Sequence, residues 1–348
     1  MHEAKEATKR SSLLCGLRKG IVFFAMLCCI LAGVTPAFAI SDAPPQRMVA
    51  PLGHTVGIRL FSEGLLVVDL SEKEGQTPAE AAGLQTGDLL LAMNRQELKS
   101  TEQLQEALQE NGARPVSLTV KRGAKTLSMT ATPESGADGV YRLGAWVRDS
   151  MAGIGTMTYY DPQSGKFGAL GHGITDVDTG QLMPVASGSL MPSTVAAVKK
   201  GAAGVPGELT GDFRPDVTLG ELTCNCSSGV FGTLSCPEAF RGALMPVARR
   251  GEVRCGKAVI RANIEGNRVE EFNIKITKLM DHGADGKDMM IRVTDDRLLS
   301  RTGGIVQGMS GSPILQDGKL VGAVTHVLVN SPDKGYGIFI ENMLAAAE

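Results

Sequence analysis

The chain has 348 residues, 43% of them hydrophobic and 4% aromatic, and a formal net charge of -2. That length suffices for two domains and a substantial core. The near-neutral charge and the few aromatics give no electrostatic or stacking basis for binding nucleic acid. The 43 glycines favour a turn-rich, mainly β chain.

Residues 1–40 read as a signal peptide or membrane anchor. Lys5, Lys9, Arg10, Arg18 and Lys19 form a basic flank, Ile21 to Leu31 carries no charge, and Ala37-Phe38-Ala39 matches a small-x-small cleavage site. A cleaved leader and a retained anchor both put the rest of the chain outside the cytoplasm, with the membrane reached through this segment. Of seven cysteines, Cys224, Cys226, Cys236 and Cys255 fall in the exported part. Their spacing is not that of a zinc site, and no metal or cofactor is expected. They read as packed small residues, with a Cys226–Cys236 disulfide as the alternative.

Residues 41–47 read as a linker, and residues 48–133 as a small mixed domain. Val56 to Leu60 and Leu65 to Leu70 alternate like strands. Pro78 to Leu84 reads as a short helix closed by Gly83, and Gly87 to Met93 as a turn into a buried strand. Ser100 caps an amphipathic helix to Asn111. Val116 to Val120 and Thr126 to Thr130 flank a turn at Arg122-Gly123. On Ala79-Glu80-Ala81-Ala82-Gly83-Leu84, Gly87-Asp88-Leu89-Leu90 and the helix from Ser100, this segment resembles a PDZ domain. The resemblance implies a loop, Val56-Gly57-Ile58, that receives a peptide carboxylate while the peptide adds as a strand.

Residues 134–139 read as a second linker, and residues 140–348 as a β domain of many short strands. Candidates are Gly153 to Tyr160, Val217 to Thr223, Gly229 to Leu234, Val269 to Lys278 and Met289 to Val293. Pro313 to Leu315 and Leu320 to Val327 flank the tight turn Asp317-Gly318. Asn342 to Ala347 reads as a short helix.

Gly308-Met309-Ser310-Gly311-Ser312-Pro313 carries the chemistry. A serine hydroxyl needs a base to take its proton. A tight glycine turn exposes the side chain, and the amides of Gly308 and Ser310 could hold an oxyanion. Ser312 lacks the flanking glycine geometry and ranks below Ser310. His172, between Gly171 and Gly173 after the strand-like Phe167 to Leu170, is the candidate base. His2, His54, His282 and His326 have less suitable settings, and His326 reads as a packed strand residue. For the acid that orients the base, the residues leave Asp295, Asp296, Asp176, Asp178, Asp212 and Asp216 open.

Gly168 to Asp176, Gly308 to Ile314, Thr55 to Ile58 and Lys334 to Ile340, with the leader and the PDZ-like segment, resemble the SpoIVB sporulation peptidases. The resemblance implies a chymotrypsin-like double β-barrel after the PDZ domain. It implies Ser310, His172 and Asp295 as the triad. It also implies regulatory proteolysis of a protein substrate at a membrane. Such peptidases enter the space between the forespore membranes, self-cleave near the amino terminus, and cleave a membrane-bound regulator of sigma-factor precursor processing. The competing reading is a catalytically inactive, membrane-tethered PDZ scaffold that binds a peptide or a C-terminal tail.

Overall fold

Alternation of buried and exposed side chains dominates this chain. Along Arg268–Leu279, Phe272, Ile274 and Ile276 are buried and their neighbours are exposed or half-buried. That is the period of a strand with one covered face. The computed structural model describes residues 46–71, 75–240, 242–280 and 286–348. The expected leader over residues 1–40 and His282 lie outside the described residues. Among the described residues no helix is long and apolar enough to cross a membrane.

In chain order the first strands are β1 (Met48–Pro51), β2 (Thr55–Leu70), β3 (Leu89–Met93), β4 (Gln96–Glu97), β5 (Val116–Arg122), β6 (Lys125–Ala131), β7 (Glu134–Ser135) and β8 (Tyr141–Arg142). Next come β9 (Ala145–Tyr160), β10 (Lys166–Ala169), β11 (Ser187–Lys199), β12 (Glu208–Phe213), β13 (Gly220–Cys226), β14 (Gly229–Leu234) and β15 (Met245–Pro246). The last are β16 (Gly256–Glu265), β17 (Arg268–Leu279), β18 (Met289–Val293), β19 (Pro313–Gln316), β20 (Lys319–Val327) and β21 (Lys334–Phe339). The helices are α1 (Pro78–Ala82), α2 (Thr101–Asn111), α3 (Asp296–Thr302) and α4 (Ile340–Ala346).

Two rings of strands result. In the first, β9, β10, β14, β13, β11 and β2 pair in that order, and the β2–β9 ladder closes the ring. The second is a closed barrel, β16-β17-β18-β21-β20-β19. Its core holds Ile260, Phe272, Ile274, Ile291, Val293, Ile314 and Val324. One closed six-stranded barrel is therefore present after the PDZ part, and the first ring is closed by the β2–β9 pairing within a larger sheet.

The PDZ part is β3, β5 and β6 with α1 and α2, packed around Leu65, Val67, Leu90, Leu104, Leu108 and Val116. Five residues are too few for an isolated helix. α1 is held by a capping box between Thr77 and Glu80, with Pro78 at its first position and Gly83 left-handed (φ +82°) at its end.

The two parts are not laid end to end. The strands expected over Val56 to Leu60 and Leu65 to Leu70 are one strand, β2. Its first half pairs with β11 and β9 inside the first barrel, and its second half pairs with β3 and β9 beside the PDZ core. The segment expected as a linker over 134–139 contributes β7, which pairs with β8.

This geometry corrects the assignment of Val56, Gly57 and Ile58 as a carboxylate loop. All three lie within β2, with Pro192, Met191 and Leu190 opposite on one side and Gly155, Ile154 and Gly153 on the other. Both edges are used, so no peptide can add there. Gly57 serves close packing instead, since a Cβ there would come within 2.7 Å of the Phe213 Cβ. The strand that joins the PDZ sheet next to β2 is the chain's own β9, with Val147 opposite Val67 and Arg148 opposite Leu66. The Cys226–Cys236 disulfide is not formed: Cys224, Cys226, Cys236 and Cys255 are free thiols, the first two half-buried.

Residues 140–348 alone lack β2, whose Val56, Ile58 and Leu60 are buried in the first ring. Each such side chain contributes roughly 1.5–3 kcal/mol, a large share of a domain's net stability. A fragment of residues 140–348 is expected to show no cooperative thermal transition by circular dichroism, whereas residues 47–348 melt in one. A cooperative melt of the shorter fragment would show that the barrel closes without β2.

Candidate active site

Ser310 sits in the turn before β19. Met309 N donates to Val306 O (3.1 Å) and Ser312 N to Met309 O (3.0 Å), which folds the turn back on itself. Gly308 and Gly311 have φ of +94° and +96°. A Cβ on Gly311 would lie 2.0 Å from the Thr156 carbonyl and 2.6 Å from Leu170 N. Only glycine allows both that conformation and that approach. Thr156, on β9 in the first barrel, holds the turn from the other side. Its amide donates to Ser310 O (3.0 Å) and its hydroxyl to Gly308 O (2.7 Å).

His172 follows β10 from the first barrel. Leu170 and Gly171 are both left-handed (φ +67° and +71°), which turns the chain sharply as β10 ends. Leu170 N donates to Thr156 O (3.1 Å), so one residue contacts both loops. Beyond the histidine, Asn225 on β13 clasps the loop. Its side chain accepts from Ile174 N (2.8 Å) and donates to the carbonyls of Ile174 and Met183 (both 2.9 Å). The buried Asp176 carboxylate is bonded by the Arg148 guanidinium, which also reaches Asp178 (2.9 Å). Burial raises the Asp176 pKa, but the Thr179 amide, Arg148 and the Thr179 hydroxyl outweigh it and hold the carboxyl below its ordinary range.

Ser310 and His172 line the same cavity of about 830 Å³, with Gly308, Thr325 and His326. The His172 Nδ1 lies 2.9 Å from the Gly173 carbonyl. A carbonyl only accepts, so Nδ1 carries the proton and Nε2 is left basic. Burial lowers the imidazole pKa, and the Gly173 carbonyl opposes this in part. The rings of His172 and His326 stand 5.0 Å apart, centre to centre. The Ser310 hydroxyl donates its single proton to the Thr325 carbonyl (2.7 Å). Among the described residues the amides of Gly308 and Ser310 donate to no protein acceptor, whereas those of Met309, Gly311 and Ser312 each do.

The structure brings Ser310, His172 and Gly308 together, and it does not bring Asp295 to them. Asp295 caps α3, and its carboxylate accepts from the amides of Arg297 (3.0 Å), Leu298 (3.4 Å) and Asn273 (3.1 Å) and from the Arg297 guanidinium (3.3 Å). Burial raises its pKa, but the bonds from Asn273 and Arg297 win and the carboxyl stays below its ordinary range. No Asp or Glu is among the described residues lining the cavity. Asp295 is therefore corrected from an orienting acid to a helix cap. The fall of the chain into a helix at Asp296 is what redirects it. Ser312 is fully buried and away from the cavity. Thr156, Asn225, Arg148 and His326 were not singled out from sequence as site residues. The sequence reading placed Thr156 only within the strand candidate Gly153 to Tyr160.

Asp295→Ala is expected to destabilise the fold by about 1–2 kcal/mol through loss of the cap. Asp295→Asn, a comparable cap, should recover part of that loss. Hydrolytic activity in both variants should follow the folded fraction, as measured by thermal melts alongside peptide cleavage. A fully folded Asp295→Asn protein with activity down about 10⁴-fold would restore the residue to the triad.

The profile of the SpoIVB peptidase S55 family matches residues 139–344, more than half of the chain, and that of a PDZ domain matches residues 74–122. The mitochondrial serine protease HTRA2 of Drosophila sechellia is 34% identical over 58 residues, which are 17% of this chain and 14% of that protein. The chain thus spans a small part of that relative's length. Among solved structures, the active form of the Rv3671c protease from M. tuberculosis covers 56% of this chain and 73% of its own, at 12% identity and a TM-score of 0.34. The PDZ domain of the SdrC-like protein of Listeria monocytogenes covers 24% of this chain and 87% of its own, at 18% identity and a TM-score of 0.22. Those structural likenesses are too low to carry weight. The family match is not: the chain belongs to the SpoIVB peptidase S55 family of serine peptidases.

Proposed function

We propose that this chain is a serine endopeptidase of regulatory proteolysis, with Ser310 as nucleophile and His172 as general base. The observation that carries the reading is that the two side chains, one from each barrel, meet in one cavity with two undonated amides beside them. Rotation about the Cα–Cβ bond of Ser310 moves its hydroxyl from the Thr325 carbonyl toward Nε2 of His172. Ser310 Oγ then attacks the substrate carbonyl while its proton passes to Nε2. The Gly308 and Ser310 amides hold the oxyanion. The imidazolium returns the proton to the leaving amine, and water cleaves the acyl ester by the same route. The Gly173 carbonyl fixes the tautomer from behind.

The PDZ module supports binding of a peptide or protein, and we assign it the recruitment of a protein substrate or partner. β9 links that module to the cleft. Its first residues join the PDZ sheet, Arg148 fastens Asp176 behind the histidine, and Thr156 holds the serine turn. The basic, then apolar, leader supports an extracytoplasmic location, either anchored or secreted. Membership of the family supports the narrower reading: a sporulation signal between the forespore membranes that releases itself by self-cleavage and cleaves a membrane-bound regulator.

A fluorophosphonate probe should label the wild-type protein at Ser310. Ser310→Ala and His172→Ala should lower peptide cleavage by about 10³-fold or more, and Ser310→Ala should leave the amino-terminal segment uncleaved by mass spectrometry. Labelling or processing that persists in Ser310→Ala would sink the assignment.

The pH profile tests the base. Neutral His172 is the active form, and burial lowers its pKa, so it stays neutral to a lower pH than a free imidazole. The acid limb of kcat/KM is expected to fall below pH 6.5, the ordinary imidazole value. A limb above that value would show that another group governs activity.

A further inference from the structure

Two thiols that take no part in the acyl transfer stand next to each other behind the histidine loop. Cys224 and Cys226 lie two apart on β13, so their side chains share one face of the strand, and Asn225 between them points to the other. Both thiols are free and half-buried, and both pack against the cluster that contains Tyr159 and Phe231. The Cys224 thiol is hydrogen-bonded to that of Cys226. Burial, and then the neighbouring Cys226, raises the Cys224 pKa, which keeps that thiol protonated in the reduced protein.

The backbone that carries the pair bears on His172. The Asn225 side chain accepts from Ile174 N (2.8 Å) and donates to the carbonyls of Ile174 and Met183 (both 2.9 Å), which fixes the loop beyond the histidine. A Cβ on Gly173 would lie 2.8 Å from the Cys226 carbonyl oxygen. The end of β13 therefore rests on the residue whose own carbonyl holds His172 Nδ1. Ser227, next in the chain, lines the cavity.

Extended backbone separates Cα atoms two residues apart by about 6.6 Å. A disulfide spans about 4.4–6.8 Å between Cα atoms and prefers about 5.5–6 Å. The pair is thus within reach of a bond, and closing it shortens the strand at Asn225. The ladder with β14 already shifts register between Leu222 and Cys224, and an irregular strand accepts such a pucker more readily than a regular one.

Resting on the reading of His172 as general base, we propose that Cys224 and Cys226 form a reversible dithiol–disulfide site. It takes a low-molecular-weight disulfide as its oxidant and lowers peptidase activity when oxidised. One thiol of the pair loses its proton and attacks a sulfur of the small disulfide, whose S–S bond breaks. The departing half takes up a proton and leaves as a thiol. The second cysteine loses its proton and attacks the mixed disulfide, so the Cys224–Cys226 bond forms and the other half leaves as a second thiol. Two electrons and two protons pass from the pair to the small disulfide. The pucker at Asn225 then loosens its hold on Ile174 and Met183, and His172 loses its fixed position.

The full-length protein is incubated with glutathione disulfide and compared with the reduced protein. Peptide mapping by mass spectrometry should find a Cys224–Cys226 bond. Amide hydrogen exchange of the peptide that carries Ile174 should quicken, and kcat/KM for peptide cleavage should fall about tenfold or more. A thiol reductant should restore both. Cys224→Ser and Cys226→Ser should each keep the activity of the reduced protein and lose the response, and Cys236→Ser with Cys255→Ser should respond as wild type. A bond mapped to other cysteines, a stable glutathione adduct in its place, or a Cys224–Cys226 bond that leaves exchange and activity unchanged would overturn the proposal. Fluorophosphonate labelling of the reduced protein reads the nucleophile separately: its absence would overturn Ser310, whereas the mapped bond and the exchange at Ile174 judge the cysteine pair.

Discussion

Thr156 is the residue on which the arrangement of the cleft depends. It is almost fully buried in β9, and its three polar groups serve two loops that are far apart in sequence. Its amide and hydroxyl hold the carbonyls of Ser310 and Gly308, and its carbonyl receives the amide of Leu170 just before His172. The nucleophile and base candidates thus hang from one residue. A buried set of this kind is costly to break, because each released group would lie unpaired away from water. It also requires glycine at 311, since the approach of the Thr156 carbonyl leaves no room for a side chain.

The same strand explains why the PDZ part and the peptidase part do not separate. β2 and β9 pair over almost their whole length, from Thr55 opposite Thr156 to Leu70 opposite Ala145. One end of this ladder is barrel wall and the other is PDZ sheet. Arg148, opposite Leu66 in this ladder, has its guanidinium on Asp176, four residues after the histidine. The PDZ part and the loop that carries His172 are thus joined by a hydrogen-bonded ladder and an ion pair with a buried carboxylate.

Among the described residues the cavity lining carries no Asp, Glu, Lys or Arg, and the buried carboxylates lie in the scaffold. Asp295 caps a helix, Asp176 closes a loop with Arg148, and Asp288 accepts from Phe339 N (2.8 Å) and Asn342 (2.7 Å). Each of these buried carboxylates is satisfied by amides or by a cation, as burial demands. The histidine is oriented by a backbone carbonyl in the same spirit. A dipole held by the chain itself does not have to be desolvated separately.

Short-range chemistry made much of this protein legible in its sequence. The capping box at Thr77, the left-handed glycine after α1, the hairpin at Asp317-Gly318 and the glycines around Ser310 all act within a few residues. Ser310 and His172 stood out as candidates for the same reason, because the turns that carry them are local. The continuity of β2, the extension of β9 back to Ala145, and the strands β11 and β12 were not legible. Alternation marks a strand but does not name its partners. Val56-Gly57-Ile58 reads equally well as a loop or as a strand paired on both edges, and only the arrival of β11 and β9 decides between them. Asp295 likewise reads as a triad acid, and only the helix that starts beside it and the amide of Asn273 on the neighbouring strand β17 commit its carboxylate elsewhere. Sequence determined which residues could do chemistry, through local turns and caps. Tertiary structure decided which of them meet, because hydrogen-bond partners and desolvation come from other segments of the chain, as Thr156 does for the turn that carries Ser310.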